Sequence, residues 1–83
     1  MNVKPTHPGT VFLEDVMKPQ ELSVADAAHM LGVTQKDLLE FIYEKASLSP
    51  EMAIRISEAT NTSVDSWMNM QQKLSNWNSG DEE

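Results

Sequence analysis

Hydrophobic side chains recur along this chain every three or four residues, the spacing of a buried helical face, and no stretch alternates as a strand would. Capping and stop residues divide the pattern into five short helical segments. The first covers Thr10 to Lys18, the fourth opens at Ser49-Pro50-Glu51, and Ser63 caps the fifth. The pattern therefore predicts an all-α fold built as a five-helix bundle.

The length and the flanking residues predict one small domain with two short extensions. The first extension is an N-terminal arm, residues 1–9, which contains Pro5 and Pro8. The domain covers residues 10–78, and no segment inside it is long enough to separate two domains. Residues 79–83 form a polar, acidic tail that we expect to be disordered.

The second and third helices are separated by a very tight turn. Ser23 caps the second helix, which ends at Gly32, and Thr34 caps the third only two residues later. A helix-turn-helix needs a small residue where its helices cross, such as Ala28, and a glycine that can adopt positive φ in the turn. The spacing meets both needs and favours DNA binding, although similar turns occur in bundles that never touch DNA.

In a helix-turn-helix, the exposed face of the second of these helices enters the major groove. Gln can bond adenine through two contacts, Lys can donate to guanine O6 and N7, and Thr can contact a base or a phosphate. A carboxylate could accept from cytosine, but it also repels phosphate. The outer face comprises Thr34, Gln35, Lys36, Leu39, Glu40 and Tyr43.

Leu39 and Tyr43 are unusual residues for a surface that contacts water. They could touch thymine methyl groups and the DNA backbone, pack on a neighbouring loop, or mark a contact with a protein. Of these alternatives we favour partial packing.

Composition limits the functions that are available. The chain has 83 residues, 13 acidic and 6 basic side chains, a net charge of −7 and no Cys. The excess of carboxylates argues against nonspecific binding of nucleic acid. The absence of Cys is typical of a cytoplasmic protein, and no apolar run is long enough for a membrane span. Residues 21–45, which hold the helix-turn-helix, themselves carry two lysines against five carboxylates.

Five separated motifs stand in a specific order along the chain: His7-Pro8-Gly9, Leu22-Ser23, Leu31-Gly32-Val33, Leu48-Ser49-Pro50-Glu51-Met52-Ala53 and Trp67-Met68-Asn69-Met70-Gln71. Together they resemble the HigA/VapI family of antitoxins, helix-turn-helix proteins of the phage-repressor superfamily. The resemblance covers His7 to Trp77 and implies a five-helix DNA-binding homodimer of the phage-repressor type. It also implies repression of the dimer's own operon and neutralisation of a small, basic, RelE-like mRNA-cleaving toxin.

The third helix departs from the family's pattern of small hydroxyl residues and Arg, followed by an Asn-Gly-Lys type of loop. Here Leu39, Glu40, Tyr43 and Glu44 stand at those places. The leading hypothesis remains a dimeric regulator that binds operator DNA, in which Gln35 and Lys36 read bases. Phosphates would be held by Thr34, Lys45, Ser47 and the amides at the start of the second helix, where Ser23 is also assigned to DNA binding. One alternative is a protein-binding module that sequesters a basic partner and has weakened DNA contact, and another is a stand-alone phage-type regulator.

The fifth helix carries more apolar surface than a small core needs. Val64 and Trp67 suit the core, whereas Leu74 and Trp77 suit a second subunit. The predicted dimer interface is Trp67, Met70, Gln71, Leu74 and Trp77.

Neither histidine points to a metal site. His7 lies in a turn-forming context, and His29 follows Asp26 by one helical turn, so a surface hydrogen bond is expected there. The sequence shows no nucleophile elbow and no phosphate-cradling glycine loop. We therefore expect no metal, no cofactor and no catalysis.

Overall fold

The computed structural model describes residues 4–79, so the start of the predicted arm and residues 80–83 of the predicted tail lie outside the described residues. Within this range the chain is all-helical, as predicted, and it has no strand. Helix α1 begins with an α-helical part that leads directly into a π-helical part. The helices are α1 (Pro8–Phe12, then Leu13–Met17 as π-helix), α2 (Val24–Leu31), α3 (Gln35–Ile42), α4 (Pro50–Thr60) and α5 (Val64–Ser79).

The first helix begins at Pro8, two residues before its predicted start at Thr10. His7 caps it, because its Nδ1 accepts a hydrogen bond of 2.9 Å from the amide of Gly9. His7, Pro8 and Gly9 are all buried. The last three residues of the predicted arm therefore pack with the helices, and α1 includes two of them.

Hydroxyl side chains begin all four of the other helices, as the sequence predicts. Ser23, Thr34 and Ser49 each accept from the amide three residues further on, at 3.0, 3.0 and 3.1 Å. Such caps satisfy amides that have no partner within the helix. Ser63 does the same at the start of α5, where it accepts from the amide of Ser66 at 3.1 Å.

The core lies where α1, α3 and α5 meet. The ring of Phe12 lies 6.4 Å from that of Phe41 and 6.4 Å from that of Trp67, measured between centroids. Leu38 and Ile56 are fully buried beside this cluster. These side chains cover the inner face of α3, and its opposite face is exposed to solvent.

Candidate nucleic-acid interface

Gly32 forms the turn between α2 and α3. Its φ of 73° lies in the left-handed region, and the amide of Val33 donates to the carbonyl of Ala28 at 3.0 Å. This hydrogen bond closes the C-terminus of α2 in a Schellman motif. Ala27 and Ala28 are buried where the two helices cross. The predicted helix-turn-helix is thus present, with glycine at the position that requires it.

Arg55 fastens α4 to this turn, a role that the sequence reasoning missed. One of its guanidinium nitrogens, Nη1, donates to the carbonyl of Leu31 at 3.1 Å, and Nη2 contacts the Glu51 carboxylate at 3.0 Å. A Cβ at Gly32 would lie 2.8 Å from Nη1. The spacing of Glu51 and Arg55 at i, i+4 was the available signal, but it does not reveal the contact with Leu31.

The exposed face of α3 brings most of the predicted base-contacting residues together. Gln35, Lys36, Leu39 and Tyr43 are exposed, and Glu40 is half-buried. Tyr43 retains 60% of its accessible surface. The packing favoured for this pair from the sequence is therefore at most partial for Tyr43, and Leu39 is more covered, with 36% of its surface exposed. One shallow depression is lined by Lys36, Leu39, Glu40, Tyr43 and Lys45.

A second groove runs between the start of α3 and the start of α4. Thr34, Glu40 and Ser47 lie along it, so Glu40 belongs to both surfaces. Gln35 and Ser23 are exposed but line neither surface. The hydroxyl oxygens of Ser23 and Thr34 accept the capping bonds, which leaves their hydroxyl hydrogens available as donors.

The loop between α3 and α4 carries Lys45 and Ser47, and it is held from both sides. His7 Nε2 lies 3.1 Å from the carbonyl oxygen of Ala46. Since His7 Nδ1 accepts from Gly9, Nε2 carries the proton and donates. The amide of Leu48 donates to Gln71 Oε1 at 2.8 Å. Two exposed residues predicted to contact phosphate are thus presented by a fixed backbone.

Carboxylates outnumber cations along the second groove. Asp37, Glu40 and Glu51 line the second groove, together with Arg55. The ion pairs among residues 4–79 are Glu14–Lys18 and Glu51–Arg55. Lys36 and Lys45 take part in neither, so both ammonium groups are available to a ligand.

Helix α5 keeps much of its apolar surface inside the chain. Trp67, Gln71 and Leu74 are buried, and the Trp67 indole donates to Thr62 Oγ1 at 2.7 Å. Met70 and Trp77 are half-buried. Of the five residues assigned to a dimer interface, only these last two retain substantial exposed surface in the single chain.

Neither a cluster of metal ligands nor a membrane-spanning helix occurs in the described part of the chain. No group of three or more His, Cys, Asp or Glu side chains there could hold a metal ion. None of the described helices combines the length and apolar character needed to cross a membrane.

Comparisons with known proteins agree with this geometry. The profile of the helix-turn-helix family matches residues 13–67. An uncharacterised helix-turn-helix transcriptional regulator of Escherichia coli, YbaQ, is 32% identical over 74 residues, which are 89% of this chain and 66% of that protein. Virulence-associated protein I of Dichelobacter nodosus is 31% identical over 65 residues, which are 78% of this chain and 60% of that protein. The chain therefore spans about two thirds or less of the length of these relatives.

Among solved structures, the antitoxin HigA of Pseudomonas aeruginosa, crystallised with the higBA promoter, superposes with a TM-score of 0.86 at 29% identity. The match covers 90% of this chain and 82% of the antitoxin. This chain belongs to the helix-turn-helix family of DNA-binding regulators. Within it, the similarities are to the HigA/VapI antitoxins, which confirms the resemblance seen in the sequence.

Proposed function

We propose that this protein is a cytoplasmic antitoxin that binds the operator of its own toxin–antitoxin operon and represses it. The observation that carries the proposal is the exposed N-terminal half of α3, where Gln35 and Lys36 stand on the outer face of the helix-turn-helix. A similar chain from P. aeruginosa was crystallised with its promoter, which supports the same use of α3 here.

In this proposal α3 lies in the major groove, and different residues contact the bases and the phosphates. Gln35 bonds the N6 and N7 edge of adenine, and Lys36 donates to guanine O6 and N7. Lys45 and the hydroxyls of Ser23, Thr34 and Ser47 contact phosphates and fix the register. The anchoring of the α3–α4 loop by His7 and Gln71 supports this division, because a fixed backbone lowers the entropy that ordering would cost on binding.

A homodimer completes the DNA-binding unit. Two recognition helices must lie about 34 Å apart to enter successive major grooves, and a two-fold axis provides that spacing. Met70 and Trp77 are the residues of α5 that we expect at this axis, since both are half-buried in the single chain. Sedimentation at micromolar concentration tests this: a species of 9.3 kDa alone would contradict the dimer.

Neutralisation of a RelE-like toxin forms the second half of the proposal. A net charge of −7 on a chain of 83 residues would speed association with a small basic protein. The test is co-expression with the neighbouring gene: a basic product that is toxic alone and harmless beside this chain is the expected result.

The DNA half is tested by footprinting the region upstream of the gene with a double variant, Gln35→Ala with Lys36→Ala. We expect the variant to lose its preference for that region. The matched control is Lys73→Ala, which also removes a lysine but lies on the exposed side of α5. An unchanged footprint for the double variant would remove both residues from base recognition.

Salt dependence measures the phosphate contacts separately. The logarithm of the binding constant should fall against the logarithm of salt concentration with a slope near 0.9 per phosphate contact. Because the surface offers few cations, we expect a shallow slope. Lys45→Ala should reduce it by about one contact without changing the preferred sequence.

A second candidate function is favoured by the acidic groove. Asp37, Glu40 and Glu51 line it next to the residues proposed to contact DNA, and they would repel phosphates. A module that sequesters a basic protein and binds DNA weakly fits this charge. Binding of the neighbouring gene's product, with no footprint at any salt concentration, would favour this candidate over the regulator.

A further inference from the structure

The recognition surface carries an exposed apolar pair at its centre. Leu39 and Tyr43 are separated by one helical turn, and they keep 36% and 60% of their surfaces exposed. Only four large hydrophobic side chains are this exposed within residues 4–79, and the other two, Met30 and Ile54, lie on α2 and α4. An adjacent pair of this kind, with Leu39 on α3 and Tyr43 at its C-cap, indicates a ligand with apolar groups of its own.

Charge at the edges of the pair identifies the class of ligand. Lys36 and Lys45 line the same depression as Leu39 and Tyr43, and neither takes part in an ion pair among the described residues. These two ammonium groups lie outside any of those ion pairs and beside an apolar surface. They suit a ligand in which negative charges lie close to apolar groups. DNA has this arrangement in the major groove, where phosphates border the C5-methyl groups of thymine. A basic protein would be repelled by the same lysines.

Glu40 favours some bases over others at the neighbouring position. Its carboxylate lies between the apolar pair and the second groove and, when ionised, can only accept hydrogen bonds. It would accept from the exocyclic amino group of adenine or cytosine and repel the O6 and N7 acceptors of guanine. The carboxylate that is unfavourable for phosphate binding thus becomes useful for base selection.

We propose that Leu39 and Tyr43 form a thymine-methyl site, so that the operator is selected by a thymine that Lys36, through its base contact, and Lys45, through the flanking phosphate, place against this pair. This inference rests on the proposed DNA-binding function and extends it. Recognition then depends on an apolar contact, which compensates for the small number of cations on α3.

The test removes the methyl group from the DNA without changing any hydrogen bond. Binding is measured by fluorescence anisotropy for the footprinted duplex and for the same duplex with uracil in place of thymine. We expect uracil to weaken binding about fourfold for each methyl group in contact, which corresponds to about 0.8 kcal/mol per buried carbon. Leu39→Ala should bind both duplexes equally well. Ile54→Ala is the matched control, because it removes an apolar side chain of 46% exposure outside the depression and should keep the preference for thymine.

The possible outcomes are distinct. A uracil penalty in the wild-type protein that disappears in Leu39→Ala supports the proposal. Equal binding of the two duplexes by the wild-type protein overturns it and leaves the DNA-binding function standing. Absence of binding to either duplex at low salt overturns both. A Leu39→Ala variant that keeps the penalty but loses the neighbouring gene's product would assign the pair to a protein contact instead, and this also overturns the proposal. Circular dichroism confirms that each variant is folded.

Discussion

Replacement of Gly9 by alanine tests how the first helix is packed against the recognition helix. A Cβ built on Gly9 would lie 1.9 Å from the carbonyl oxygen of Phe41 and 2.7 Å from its carbonyl carbon. Both atoms are backbone, so neither can rotate away. The two helices would have to separate by more than about 1 Å to restore ordinary van der Waals distances.

The magnitude follows from two opposing effects. Overpacking of this kind costs about 1–3 kcal/mol, and a rigid partner places Gly9→Ala at the upper end. Alanine is favoured over glycine within a helix by up to about 1 kcal/mol, which offsets part of that cost. We expect a net loss of about 2 kcal/mol, a large fraction of the roughly 5 kcal/mol that a domain of this size can have.

Urea denaturation at fixed protein concentration measures this loss. Tryptophan fluorescence reports on it because Trp67 is buried against Phe12. With a slope near 1 kcal/mol per molar urea, the midpoint should fall by about 2 M. The comparison is Gly32→Ala, where the strain comes from φ and costs about 1 kcal/mol, and displacement of Arg55 from its hydrogen bond to Leu31 adds to that cost. A Gly9→Ala variant as stable as the wild type, or more stable, would refute the close approach of α1 to α3.

Three further substitutions test the contacts around the α3–α4 loop and one helix end. Gln71→Leu leaves the buried amide of Leu48 without its acceptor and should lower the free energy of unfolding by about 1–3 kcal/mol, whereas Gln71→Glu, which keeps an oxygen acceptor, should lose less in the same urea titration. His7→Ala removes both the cap of α1 and the donor to Ala46, so thermal unfolding should show a loss of about 1–2 kcal/mol; His7→Asn, which can still cap, should recover part of it. Glu21→Gly should stabilise the protein by up to about 1 kcal/mol in calorimetry, because Glu21 has a φ of 55° that glycine adopts without strain; a lower melting temperature would contradict this reasoning.

The sequence predicted the helices well where their signals are local. A cap such as Thr34 depends on a hydroxyl and an amide three residues apart, so its geometry can be inferred without knowing the rest of the fold. The start of α1 was missed because its cap is a histidine, which usual capping patterns do not include. The π-helical part of α1 was missed as well, since its hydrogen bond from Lys18 to Leu13 spans one residue more than the periodicity suggests.

For the candidate site, the sequence identified which side chains face outward but not what holds them. The exposure of Gln35 and Lys36 follows from helical periodicity together with the buried positions Leu38 and Phe41. The exposure of Tyr43 depends on where α3 ends and what packs beside it, which is a tertiary property. Gln71 was assigned to a dimer surface, yet its side chain points inward to Leu48, because an amphipathic pattern does not say which neighbour covers each polar position.

The sequence by itself determined the class of fold, the helix-turn-helix and the acidic character of its recognition helix, because these depend on composition and on spacings of a few residues. Only the tertiary structure decided that the loop bearing Lys45 and Ser47 is fixed by His7 from one side and Gln71 from the other. Those contacts join residues 39 and 23 positions apart, and no local pattern encodes such distances. They form because α1 and α5 pack on the same core and bring both polar groups to one loop.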